Sequence, residues 1–458
     1  MVANFQFENV VGFAPEEAED ILRSIPVLPG VFALYGGQAG SEPYLSRAAD
    51  LRRRMRRLLA PPESQSKRLN LRQKVARIEY TVTGSEFESA LTLYNAASAI
   101  FGAEEAKRRL RLRTPAFLRI AVENEFPRVY VTNRLSRRGL AETYGPFPSR
   151  AAAERYSDAV LDLFKLRRCH EDLQPYPEHP GCVYGEMKKC LEPCKQACAH
   201  ERYAAETAAV KAFFDTRGES MLSEIVAGRD QASQAMEFER AAALHEQYQR
   251  VKAAAALADE IVQPVLKLRA VVVQKAAVRH EREDEAAIFL LEGGSIAGPE
   301  RLSTLGVRAV KEQTRVGSSL FAQPLMLQAV PIEGEAVDVS NSPEDRARKA
   351  LENLEARVAP NNDLAMLSDH LSLFRRWYYR PEKQRTGEAF LPSPGSSWSV
   401  RRILRGAARQ VLGDPKPLPD VQREAAGAAK TRILHEGRSE VERVVVAAER
   451  KRGRPPTE

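Results

Sequence analysis

No stretch of this 458-residue chain approaches the run of about eighteen apolar residues that a membrane-crossing helix needs. Its opening, Met-Val-Ala-Asn-Phe-Gln-Phe-Glu, also lacks the basic start and apolar centre of a secretory signal. Both absences predict a cytoplasmic protein with no membrane association. Cysteine is missing from 428 of the residues: all five, Cys169, Cys182, Cys190, Cys194 and Cys198, fall within thirty positions. In a reducing compartment such crowding points to a metal site before disulfides. Acidic excess is lacking too, since 69 Lys and Arg against 61 Asp and Glu leave +8, a balance that favours polyanions such as nucleic acid. With 43% hydrophobic and 28% charged residues the chain is neither disordered nor fibrous, and its length calls for two to four domains.

Patterning divides the chain as follows. Pro15 to Ile25 reads as a helix with proline at its start, ending an N-terminal segment, 1–24. Strands at Pro29–Tyr35, around Tyr44 and at Val75–Val82 alternate with a basic amphipathic helix, Ala48–Leu59, and a helix from Ser85 to Phe101, giving a small α/β domain over 25–103. A connecting αβ segment (104–168) leads to the cysteine segment (169–202). Residues 203–260, rich in Ala, Glu and Gln, read as a hairpin of two helices joined near Gly228. Leu266–Gln274 and Ala286–Leu291 mark a small β-rich piece (261–340), and Ser342 with Pro343 opens a helix in a helical basic-aromatic region (341–412). The charged, Pro-rich 413–458 reads as a loosely ordered tail with one helix. The expected class is a multidomain α+β protein that begins with a small α/β unit.

Gly30-Val31-Phe32 is followed after eleven residues by Tyr44-Leu45-Ser46, then Arg47 and a helix carrying Arg54. The arrangement resembles a GIY-YIG nuclease domain, in which two strands present tyrosines beside a helix arginine and a later glutamate holds a divalent metal. Phosphodiester hydrolysis needs an activated water, a cation for the developing charge and fixed geometry. By position Tyr44 matches the second tyrosine, Arg54 the phosphate-stabilising arginine and Arg47 a lysine of the repair branch. Phe32 replaces the first tyrosine and so lacks the hydroxyl that would orient water. Aligned through Glu88-Ser89-Ala90-Leu91-Thr92-Leu93, Leu93 stands where the metal ligand belongs, and leucine cannot bind magnesium. Glu88 lies about 140° further round the helix. The expectation is a nuclease fold retained for binding. The alternative is an active, magnesium-dependent endonuclease making a single incision, its site rebuilt with Glu86 or Glu88.

Glu125-Phe126-Pro127-Arg128-Val129-Tyr130-Val131-Thr132 and Tyr144-Gly145-Pro146-Phe147 follow in order. Both resemble segments that come after this domain in the UvrC family, the C component of the bacterial excision nuclease (excinuclease ABC). Next come Cys169, Cys182, Cys190 and Cys194 at intervals of twelve, seven and three residues. Four thiolates suit tetrahedral zinc or a cubane iron-sulfur cluster, and spacing does not choose between them. Lys-Lys-Cys-Leu-Glu-Pro-Cys resembles the family's cysteine region, which implies an iron-sulfur cluster. Cys198 is a spare thiol or an alternative ligand.

Ala235-Met236-Glu237-Phe238-Glu239-Arg240-Ala241-Ala242, running on to Leu244 and Val251, resembles the UVR motif. That resemblance implies a hairpin that pairs with a matching hairpin of the B component, UvrB. Phe238, Ala241, Ala242 and Leu244 form its apolar stripe, bordered by charges such as Glu239. For DNA the candidates are Arg52 and Arg53, then Arg376 and Trp377 in Phe374-Arg375-Arg376-Trp377-Tyr378-Tyr379-Arg380, where aromatics interleave with guanidinium groups. The end, Arg450-Lys451-Arg452-Gly453-Arg454-Pro455, resembles an AT-hook, in which Arg452 and Arg454 would enter a narrow minor groove.

The family's second nuclease domain, of RNase H type, and its paired helix-hairpin-helix modules are not recognisable after residue 260. The resemblance covers residues 25–260. It implies a DNA-binding protein of nucleotide excision repair with a UvrB-like partner and a degenerate GIY-YIG site, so dual incision is not expected. A further alternative is a redox-responsive DNA-binding regulator built on the cysteine cluster.

Overall fold

In a computed structural model of the chain, residues 5–413 are described except 39, 62–68, 171–172, 279–283, 308–341, 359–362, 382–383 and 393–396, together with 432–433 and 445–446. The protein is multidomain α+β. Residues 1–411 form one compact unit and 412–458 a second. In the tail Arg432–Ile433 and Val445–Val446 pair as two-residue antiparallel strands, and the helix expected there lies outside the described residues. Arg452 and Arg454 lie outside the described residues.

The first sheet is built from β1 (Asn9–Gly12), β2 (Gly30–Gly36), β3 (Tyr44–Ala48) and β4 (Val75–Val82), antiparallel in the order β1-β4-β2-β3. β1 has no counterpart in the sequence pattern, and its pairing with β4 draws the N-terminal segment into this sheet. On one face lie α1 (Ala18–Ser24) and α2 (Leu51–Leu59), whose Leu51, Met55, Leu58 and Leu59 bury against Phe32, Leu34 and Ile78. On the other lies α3 (Glu86–Phe101), capped by the Ser85 hydroxyl, which accepts from the Glu88 main-chain N–H at 3.1 Å. A short α4 (Ala103–Arg109) follows.

The second sheet takes β5 (Ala116–Ile120), β6 (Val129–Thr132), β7 (Thr143–Phe147) and β8 (Gln263–Pro264) in the order β6-β5-β7-β8. It packs on α5 (Arg150–Leu161), with the cysteine segment and its short α6 (Val183–Glu186) between α5 and α7 (His200–Thr216) in sequence. In place of two helices joined near Gly228 there are three: α7, α8 (Glu219–Gln234) and α9 (Phe238–Ala255). Gly228 sits inside α8. The reversals fall instead at Arg217-Gly218 and Met236, which adopt left-handed backbone at φ 54°, 88° and 57°.

β9 (Arg269–Lys275), β10 (Glu285–Glu292), β11 (Ser295–Ser303) and β12 (Glu388–Phe390) make a third antiparallel sheet in the order β11-β10-β9-β12. Its strands are apolar on both faces because both are covered. Val271, Val273, Ile288 and Leu290 face α10 (Pro343–Arg357) and α12 (Val400–Leu412). Ala270, Val272, Phe289 and Leu291 face α11 (Leu364–Tyr378) and α3. Helix α3 is therefore shared, with Ala96 and Leu93 against the first sheet and Phe87, Leu91 and Tyr94 against the third.

Candidate nucleic-acid interface and cysteine centre

Residues i and i+3 of a strand point to opposite faces, and this divides the candidate nuclease residues. Tyr44 lies on the α2 side of the first sheet beside Phe32, ring centroids 6.2 Å apart. Arg54, one turn into α2, donates to the Tyr44 hydroxyl at 2.8 Å. Arg47 points to the α3 side and pairs with Glu86 at 3.5 Å. Tyr44 and Arg54 thus come together as expected, whereas Arg47 is not part of that pair.

The remaining positions of the expected site lie apart from this pair. Phe32 is wholly buried, and Leu93 packs toward Val31 and Ala33 on the opposite face from Tyr44. Glu86 is bound by Arg380, whose Nη2 donates at 2.7 Å. Hydrogen bonding from Arg380 outweighs partial burial and holds its carboxyl below the usual range. Glu88 is buried and accepts the Gly84 N–H at 2.7 Å; desolvation pushes its pKa up to about 7. It opens on a cavity of about 270 Å³ with Glu8, Glu300 and Arg301, which none of Tyr44, Arg47 and Arg54 lines.

Of the DNA candidates, three make contacts within the chain. Trp377 is only 4% exposed: its indole N–H donates to the Thr386 carbonyl at 2.8 Å and its ring lies 5.3 Å from Phe87. A ring so placed is core and offers no face to a base. Arg376 is committed to the carbonyl of Arg111 (2.9 Å) and, more loosely, that of Leu110, beyond the end of α4. Arg52 likewise holds the carbonyls of Ile25 (2.6 Å) and Arg23 (2.8 Å) at the C-terminal end of α1. Arg53 remains exposed, as do Arg56 and Arg57, so α2 keeps a basic outer face.

The cysteine segment folds back through left-handed residues Lys188, Glu192 and Gln196. Tyr176 N–H donates to the Cys194 carbonyl, and Leu191 N–H to that of Lys165. Cys190 and Cys194 are buried; Cys169 and Cys182 are half-buried. Burial pushes the Cys190 thiol up to about 12. Two sulfurs accept hydrogen bonds: Arg167 Nη1 donates to Cys169 Sγ and Glu192 N–H to Cys190 Sγ, each at 3.4 Å. Among the described residues no three Cys, His, Asp or Glu side chains already stand around a point suited to one metal ion. The chemistry of the donor set fits a thiolate-held centre, while ligation would require the side chains to draw inward. Cys198 packs against the second core instead.

At the tip between α8 and α9, Met236 and Phe238 are 76% and 70% exposed. The expected stripe is split: Ala241 and Leu244 turn partly toward α8, and Phe238, Glu239 and Ala242 face outward.

Residues 116–213, which hold most of the second sheet, the cysteine segment and nearly all of α7, match the family described as UvrC/Cho excinuclease, middle domain. The chain is a UvrC-like protein. It is 27% identical over 240 residues to UvrABC system protein C of Idiomarina loihiensis, covering 50% of this chain and 37% of that protein. Against the protein of the same name from Desulforudis audaxviator the identity is 28% over 297 residues, covering 64% and 46%. With that of Koribacter versatilis it is 30% over 226 residues, covering 48% and 36%. The chain thus spans less than half the length of these relatives. No solved structure matches it. Among the described residues no helix is long and apolar enough to cross a membrane.

Proposed function

We propose that this protein binds DNA in nucleotide excision repair through a GIY-YIG-like domain that no longer cuts, and recruits a UvrB-like partner through the α8–α9 tip. The observation that carries the reading is the Tyr44–Arg54 pair, retained at 2.8 Å beside a buried Phe32 that has no hydroxyl, with Leu93 on the opposite face of the sheet. Arg54 and the outer arginines of α2 supply positive charge for backbone phosphate. Phe32 has no hydroxyl to orient water, and Glu88 lines a different cavity from the pair. The exposed Phe238, flanked by Glu239 and Arg240, supports a partner helix at the tip.

Anaerobically purified protein is expected to bind a lesion-bearing duplex yet leave it unnicked with magnesium or manganese, with or without a UvrB protein. Nicking that disappears in Arg54→Ala would overturn this reading and make the chain an endonuclease.

Cys169, Cys182, Cys190 and Cys194 are the residues proposed to hold an iron-sulfur cluster or zinc; the bound group would staple the loop between α5 and α7. Metal and sulfide analysis of protein prepared without oxygen decides between the two. Iron with equimolar sulfide and visible absorption, both lost in Cys190→Ser, would mark the cluster, and protein free of any metal would sink the assignment.

A further inference from the structure

The C-terminal part of the chain, outside the stretch that resembles the family, places a second cation beside the first domain. Arg380, just beyond α11, grips Glu86 with both guanidinium nitrogens, at 2.7 Å through Nη2. Arg47 of β3 reaches the same carboxylate from the other side at 3.5 Å. Two guanidinium groups thus hold one carboxylate, an excess of one positive charge. The place is open to solvent, with side-chain exposures of 46% for Arg47, 47% for Glu86 and 29% for Arg380.

We propose that Arg47 and Arg380 form a phosphate site for a nucleic-acid backbone, and that the Glu86 carboxylate holds the place of the phosphate until one displaces it. A carboxylate and a phosphodiester are both oxyanions that guanidinium groups bind through paired N–H donors. Displacement costs the Glu86 pairs and gains the same donors for the incoming anion. The site therefore discriminates against weak anions and responds to a polyanion already tethered by the arginines of α2. Because Arg47 and Arg380 belong to different sheets' neighbourhoods, bound DNA would also bridge the first domain to the end of α11.

This inference rests on the DNA-binding reading above. The test is fluorescence anisotropy of a labelled duplex over a salt series, with the full chain, Glu86→Gln, Arg380→Gln and Arg53→Gln. Removing the resident carboxylate is expected to tighten binding roughly three- to tenfold and to steepen the slope of log affinity against log salt by about 0.9, one phosphate's worth. Arg380→Gln is expected to weaken binding and flatten the slope by a similar amount. If Glu86→Gln lowers the melting temperature but leaves affinity and slope unchanged, Glu86 is a clamp between segments and the inference falls. If affinity follows Arg53 alone, the inference falls while the DNA-binding reading stands. Absence of DNA binding by the unaltered chain overturns both.

Discussion

Replacing Trp377 by alanine is expected to destabilise the protein by about 3–5 kcal/mol without removing any DNA contact. The indole fills the junction of α11, α3 and the third sheet, with Phe87 at 5.3 Å and Phe374 at 5.9 Å. Truncation leaves a cavity there and removes the shorter of the two hydrogen bonds to the Thr386 carbonyl, leaving the one from Gln274 Nε2 at 3.3 Å. Urea unfolding followed by circular dichroism measures the loss. Anisotropy at a temperature where the variant stays folded measures the DNA side. Normal stability with lost binding would mean that the ring meets a base after all.

Acid stability turns on two buried groups that act in opposite directions. His370 accepts the Ile296 N–H at 3.0 Å, and burial lowers its pKa from 6.5 to about 4. Between those values the unfolded chain takes up a proton that the folded one refuses, so stability is lost as pH falls from 6.5 toward 4. Glu88 is shifted upward, to about 7 from 4.5. Between those values the folded chain keeps a proton that the unfolded one has released, so stability is lost as pH rises from 4.5 toward 7. Each shift is worth roughly 3 kcal/mol, and across their overlap they offset. The unaltered protein should therefore show little change in unfolding free energy between pH 4.5 and 6.5. Glu88→Gln removes one arm, and the variant should lose roughly 3 kcal/mol on acidification across that interval. Urea titrations at several pH values read this directly, and a flat profile for the variant would refute the account of His370.

Much of the fold is legible along the chain where local chemistry and tertiary demand agree. Val75–Val82 is β4 as expected, Ser85 caps α3, and Ser342 with Pro343 starts α10. The elements that escape have weak or contrary local signals. β1 is four residues with alternate positions exposed, and β11 contains Gly298 and Pro299, which read as a break. The helix reversals use Arg217 and Met236, residues whose side chains give no hint of left-handed backbone, whereas packing overrides the hint that Gly228 gives. Runs of arginine and aromatics resemble nucleic-acid surfaces, and that likeness hides Trp377 as core. The better signal is the spacing of Leu367, Leu371, Phe374 and Trp377, which marks one buried helix face. At the site, Tyr44 and Arg54 are legible because strand and helix are adjacent. Arg380 is not, since 294 positions separate it from Glu86.

The sharing of α3 between two sheets also bears on how the chain is made. Tyr94 meets its buried partner Asp369 275 positions later. At ribosomal speeds of about 5–20 residues per second, that second face of α3, with Phe87 and Leu91, waits roughly 14–55 s for its cover. During that interval the nascent first domain shows an apolar stripe to water, where holdase chaperones would find it. A fragment ending near residue 260, the portion most like its relatives, would carry the same bare stripe permanently.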